Sequence, residues 1–264
     1  MRKNHSQDIV SAHDQPRYTI SLFAKTIEMK QALWALYAFN YEVAKTREIV
    51  SDTTLGLIRL TWWREALNMI YGKPTEQKRS LDDHPILPEL ARAIKSFALP
   101  YNLFNELLLG REFDLEDLQP DTLDGLITYI KNTNGPLLKL ACLISNDDIA
   151  EDNLIALACA NGLSGILHAI PFHAQHNIAM LPASHVSKND IFSANLTTLT
   201  PCITDITQSA SERLSKIPPP SKGICRALYK LTQLELNHIK KCAFNVRDAK
   251  YQQKIPFLAF RIAF

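Results

Sequence analysis

Across 264 residues, apolar side chains recur at three- and four-residue spacing, and no alternating apolar–polar run exceeds four residues. Three to four is the helix period, whereas a half-buried strand needs a period of two. The chain is therefore predicted to be all-α. Leu33, Leu36 and Tyr37 open a stripe that continues to Ala44. Leu55, Ile58, Trp62, Ala66 and Met69 share one face of a second helix, which Gly72, Lys73 and Pro74 end. Further helices are predicted over 87–97, 101–117, 123–130 after a Thr122 cap, 137–144, 152–176 with a kink at Pro171, 203–214 and 223–244. Residues 80–88 read as a polar loop and Asn134, Gly135 and Pro136 as a break. Residues 182–201, rich in Ser, Thr and Asn, read as a long surface loop, and Pro218, Pro219 and Pro220 as an extended joint. With no internal repeat and no shift in composition, the simplest organisation is one helical domain over 14–264 behind a polar tail, 1–13.

Composition narrows the function. Hydrophobic residues at 46% and charged residues at 21% describe a globular protein. The formal net charge of +2 is too small for a nucleic-acid binder that works by bulk charge, so no nucleic-acid partner is expected. Neither G-x-G-x-x-G nor G-x-x-x-x-G-K-[ST] occurs among the 8 glycines. The 5 cysteines form no C-x-x-C pair and read as buried free thiols. The first fourteen residues hold no apolar core of a secretory signal, so none is expected. Residues 154–172 are apolar but interrupted by Asn161, Ser164 and His168, which suits a core helix better than a span of about 20 uninterrupted apolar residues. Residues 255–264 are apolar apart from Arg261 and are predicted to dock on the body or dip into a membrane surface.

Three constellations carry candidate chemistry. Glu112, Asp114, Glu116, Asp117, Asp121 and Asp124 form an acidic run in which Glu112 and Glu116 share a helix face. Hard cations need such converging oxygens, while a solvated helix end is the simpler reading. His168, His173 and His176 offer imidazoles, of which only the last two have regular one-face spacing. Trp62 and Trp63 point about 100° apart on a helix, so one can face the core and the other a groove.

Longer stretches resemble one family. The segments DQPRYTISLFAKTIEMKQALWALYAFN (14–40), LGLIRLTWWREAL (55–67), LLLGREFDLED (107–117), YIKNTNGPLLKLA (129–141) and ANGLSGILHAIPFHAQHNIAMLP (160–182) are similar, in order, to blocks of the squalene/phytoene synthases. The resemblance implies an all-α isoprenoid-synthase bundle with a central cavity, in which Mg2+ ions held by two aspartate-rich motifs bind a prenyl diphosphate. Magnesium neutralises the leaving diphosphate, and carboxylates hold the magnesium.

The matched positions depart from that chemistry. The family's D-D-x-x-D falls on Ala44, Lys45 and Glu48. Its N-x-x-R-D-x-x-x-D falls on Gly165, His168, Ala169 and His173. No catalytic residue, no metal and no cofactor is expected at these positions. Lys45, His168 and His173 are expected to line the cavity beside Glu48, with Glu48 paired to Lys45 or a histidine. The replaced motifs resemble one branch of the family. That branch implies a non-catalytic assembly or lipid-binding factor for respiratory complex I biogenesis, with an isoprenoid or lipid ligand in the cavity. It also implies assembly partners in complex I and peripheral inner-membrane association. The expected location is the cytoplasm or the cytoplasmic face of the inner membrane in a bacterial relative, and the matrix side in a mature organellar form. The alternative is a prenyltransferase condensing two prenyl diphosphates, with Mg2+ as cofactor and Glu112, Glu116 and Asp117 recruited as cavity acids, or with basic groups binding the diphosphate.

Overall fold

A computed structural model describes residues 4–50, 52–116, 119–251, 253 and 255–263. Its helices are α1 (His5–His13), α2 (Gln15–Ser21), α3 (Ile27–Ala44), α4 (Thr46–Ile49), α5 (Thr53–Ile70), α6 (Leu87–Ser96), α7 (Tyr101–Glu112), α8 (Leu123–Ser145), α9 (Glu151–Gln175), α10 (Lys188–Phe192), α11 (Leu196–Ser215), α12 (Gly223–Lys241) and α13 (Leu258–Ala263), with short 3-10 turns at Leu81–Asp83 and Phe113–Glu116. No strand occurs among the described residues, as the helical period predicts. The chain forms two compact units, Met1–Glu116 with Pro136–Asp148, and Asp117–Gly135 with Ile149–Phe264.

In the first unit α3 is the centre. Thr26 caps it by accepting the Met29 N–H. Every residue from Ala32 to Phe39 is buried, so all its faces meet other elements. Phe39 holds the aromatic core, edge-on to Trp63 of α5 at 5.4 Å and to Phe104 of α7 at 5.5 Å between ring centroids. Of the adjacent tryptophans, Trp63 is 1% exposed, while Trp62 is half-buried under the Arg79 guanidinium. The Leu55–Ile58–Trp62 stripe is not the core face of α5. Leu55 and Ile58 are exposed, and Gly56, Leu60, Trp63 and Leu67 are buried instead. Residues 5–13, within the expected tail, form α1, whose Ser6 and Val10 are buried and whose first N–H groups donate to Glu89 of α6. A hollow of about 460 Å³ beside that cap has a mixed lining that includes His5, Leu81, His84, Pro88, Glu89 and Arg92.

In the second unit α9 is the centre, packed by α10, α11 and α12. It is long and apolar enough to cross a membrane, yet 56% of its most apolar window is buried inside the protein. Of its three polar interruptions, Asn161 and Ser164 have hydrogen-bond partners and His168 packs against two rings.

Two expectations are corrected. No break occurs at 134–136, because α8 runs on through Pro136. The ring forfeits one backbone hydrogen bond, but Leu126 and Ile130 before it, and Leu138, Leu140, Ala141 and Ile144 after it, are buried and hold both halves in place. Nor is 182–201 one loop. Ser187 caps α10 and Asn195 caps α11, so the Ser and Asn content that suggested a loop marks helix starts. Pro201 lies inside α11.

Candidate functional site

The first motif region lies where α3 ends. Ala44 is its last residue, Lys45 is the C-cap, and Glu48 is exposed on α4. One turn back, Glu42 is 5% exposed. A buried carboxylate needs compensating charge, and Glu42 has two cations. Lys45 Nζ donates to it at 2.6 Å and Arg59 of α5 at 2.8 Å. The Lys45 ammonium also lies over the Tyr41 ring, 4.8 Å from its centroid. His84 Nε2 stands 3.8 Å from the same carboxylate, and burial holds its pKa below the ordinary value, so the ring is neutral at pH 7.

Sequence reasoning singled out Lys45 but missed Glu42, Arg59 and His84. The Glu42–Lys45 pair has a local signal, since it is an i,i+3 pair of opposite charge. Arg59 and His84 have none, because only the fold brings α5 and the 80–88 segment to α3.

The acidic run is dispersed among arginines. Glu112 accepts from Arg64 of α5 at 2.7 Å, and the buried Asp114 accepts from Arg111 at 3.2 Å. The helix ends at Glu112 and tightens to a 3-10 turn, so Glu116 does not share a regular α-helical face with Glu112. Asp117 lies outside the described residues. Among those residues no three of His, Cys, Asp and Glu converge as metal ligands.

The second motif region occupies the C-terminal half of α9. Gly165 is exposed, and His168, Ala169 and His173 are half-buried. His176 is exposed and its Nδ1 meets the Phe172 carbonyl at 2.8 Å. On the face toward α12 a polar seam runs through the apolar interface. Asn161 donates to Thr232 at 3.2 Å, Ser164 donates to Glu235, and the His168 ring lies 5.7 Å from that of His238. The spacings 161–164–168 and 232–235–238 keep each set on one helix face. Tyr251 closes the seam, stacked 6.2 Å from His168 and donating to the Leu167 carbonyl at 2.9 Å.

His168 Nδ1 is buried and has no hydrogen-bond partner. Burial, with a smaller contribution from His238, lowers the His168 pKa to about 4 from 6.5. The folded state then binds fewer protons than the unfolded state between those values, so stability falls as pH drops through 6.5 and levels off below 4. Urea denaturation is expected to show about 2 kcal/mol less stability at pH 5 than at pH 7.5 from this group, a loss that His168→Gln removes. An unchanged pH slope in the variant contradicts the assignment.

Magnesium does not fit either stretch. At the first, the buried carboxylate is already occupied by an ammonium and a guanidinium. At the second, Gly165 and Ala169 bring no side-chain donor, and the His168 ring is enclosed by His238 and Tyr251. Hard-cation sites are built from oxygen ligands.

Known proteins agree with this fold. The solved squalene synthase of Alicyclobacillus acidocaldarius is 18% identical, with a TM-score of 0.72 over 91% of this chain and 93% of that one. A dehydrosqualene synthase is 17% identical, with a TM-score of 0.75 over 98% and 94%. At such identities the likeness establishes the all-α isoprenoid-synthase fold. Among curated relatives, the mouse "NADH dehydrogenase (ubiquinone) complex I, assembly factor 6" is 29% identical over 178 residues, which is 66% of this chain and 51% of that protein. The Dictyostelium discoideum homolog is 24% identical over 94% of this chain and 73% of its own length. The chain thus spans about half the length of the mammalian relatives it matches. The squalene/phytoene synthase family matches residues 10–254, and with the fold and these relatives it places the chain plainly: it belongs to the squalene/phytoene synthase family.

Proposed function

We propose that this protein is a non-catalytic assembly or lipid-binding factor that supports respiratory complex I biogenesis. One observation carries the loss of catalysis. Lys45 stands at a position matched to a metal-binding aspartate, and with Arg59 it neutralises the buried Glu42. On the family match, a built-in cation stands where a synthase has a metal-binding aspartate, and a further cation meets repulsion there rather than a ligand. The assembly role is supported by relatives named as complex I assembly factors in mammals and in Dictyostelium. The squalene/phytoene synthase-like part of the chain then binds an isoprenoid or lipid, with complex I subunits or intermediates as its partners, and needs no cofactor. Its workplace is the compartment in which complex I is assembled.

Deleting the gene in its own organism tests the assembly role. The expected result is loss of assembled complex I and of NADH-dependent respiration, with succinate respiration kept, and recovery with the wild-type gene. Full complex I together with an altered isoprenoid profile overturns the reading and favours a prenyltransferase.

A further inference from the structure

The hollow beside α1 is assembled from three local structures of the first unit. On α6, Pro88, Glu89 and Arg92 are three and four residues apart and share one face, while Leu87, Leu90, Ala93 and Ile94 are buried. The 3-10 turn before α6 carries Leu81 and Asp82 and is locked by a reciprocal capping box between Ser80 and Asp83. The first turn of α1 brings Asn4 and His5, and it is pinned to α6 because the Glu89 oxygens accept its N–H groups at 3.1 and 2.9 Å. The concavity they enclose, about 460 Å³, has the size of a small-molecule site. Most of its polar groups are engaged. Glu89 is held by the α1 N–H groups, and His84 Nδ1 accepts from the Ile86 N–H at 3.4 Å. Two charges remain. Among the described residues neither the Asp82 carboxylate nor the Arg92 guanidinium has a hydrogen-bond or ion-pair partner, and they do not pair with each other. Leu81, Pro85 and Pro88 supply the apolar part of the lining. Asn4 and His5 precede residue 10, where the family match begins, so one wall of the hollow lies outside that match.

We infer that the hollow binds a small zwitterion of amino-acid to dipeptide size, with its ammonium at Asp82, its carboxylate at Arg92 and its aliphatic part on Leu81, Pro85 and Pro88. Two opposite charges that line one concavity without pairing are complementary to a ligand that carries both. A ligand with a single charge meets one of them and leaves the other unmatched. A metal ion does not suit the hollow, because among the described residues no three of His, Cys, Asp and Glu converge as ligands. The inference goes beyond the proposed function and does not rest on it, since no residue of either replaced motif lines the hollow.

The test follows the histidine ring protons of the full chain by NMR during titration with leucyl-leucine. Two analogues serve as controls: N-acetyl-leucyl-leucine, which lacks the ammonium, and leucyl-leucinamide, which lacks the carboxylate. Leucyl-leucine is expected to shift the His5 and His84 signals saturably, and each analogue to bind at least about threefold more weakly. Asp82 and Arg92 are exposed, so Asp82→Asn and Arg92→Gln leave the fold intact. Asp82→Asn is expected to remove the preference over the acetylated peptide, and Arg92→Gln the preference over the amide. No saturable shift up to about 20 mM, equal binding of the three peptides, or preferences that survive both substitutions overturns the inference. Binding with these preferences by a protein whose gene deletion leaves complex I intact supports the site while removing the assembly role.

Discussion

Glu42→Ala is expected to lower the unfolding free energy by about 3 kcal/mol. The variant leaves the Lys45 ammonium and the Arg59 guanidinium facing each other without the carboxylate that holds both. Removing one partner of a buried ion cluster costs more than the cluster contributes, because uncompensated charge remains. Lys45 and Arg59 keep some solvent access, which holds the loss below that of a fully buried cluster. Adding Lys45→Met and Arg59→Met removes the orphaned charges and is expected to recover most of the stability. Urea denaturation followed by tryptophan emission checks both. A loss under about 1 kcal/mol, or no recovery in the triple variant, contradicts a closed ion cluster.

Gly162→Ala is expected to cost about 3 kcal/mol, although alanine is the better helix former by about 1 kcal/mol. A Cβ at Gly162 would lie 2.2 Å from Ile130 Cγ2 and 2.7 Å from Asn134 Nδ2, so α9 could not approach the first half of α8 as it does. Gly165→Ala is the control on the same helix. Nothing lies within 4 Å of its Cβ, and it is expected to be neutral or to gain up to about 1 kcal/mol. Equal effects at the two positions would mean that the α8–α9 contact is not close.

The helices were legible because each needs one apolar face, and that face repeats every three to four residues. What periodicity does not encode is which face meets a neighbour. Leu55 and Ile58 satisfy the spacing as well as Leu60 and Trp63 do, and only the fold exposes the first pair. Pro136 and the 182–201 segment misled for a related reason. Local breakers and loop formers act at about a kcal/mol or a few each, and burial of the flanking turns outweighs or redirects them.

The candidate site was half legible. The sequence places Lys45 where a carboxylate belongs in the family pattern, and it marks Asn161, Ser164 and His168 as interruptions of an apolar helix. Thr232, Glu235 and His238, which meet Asn161, Ser164 and His168, come from α12, and Arg59, which shares Glu42 with Lys45, comes from α5, and no local spacing announces them. The acidic run was legible only in part. Its closely spaced carboxylates were visible, but not the Arg64 and Arg111 that hold Glu112 and Asp114.

The most direct measurement is diphosphate release from farnesyl and geranylgeranyl diphosphate, with magnesium present, by the purified full chain and by its Glu48→Ala variant. No release above the protein-free blank is expected from either protein, since Lys45 stands at a position matched to a family aspartate and pairs with Glu42. Mg2+-dependent release that Glu48→Ala abolishes would make Glu48 a metal ligand and return the protein to the working synthases.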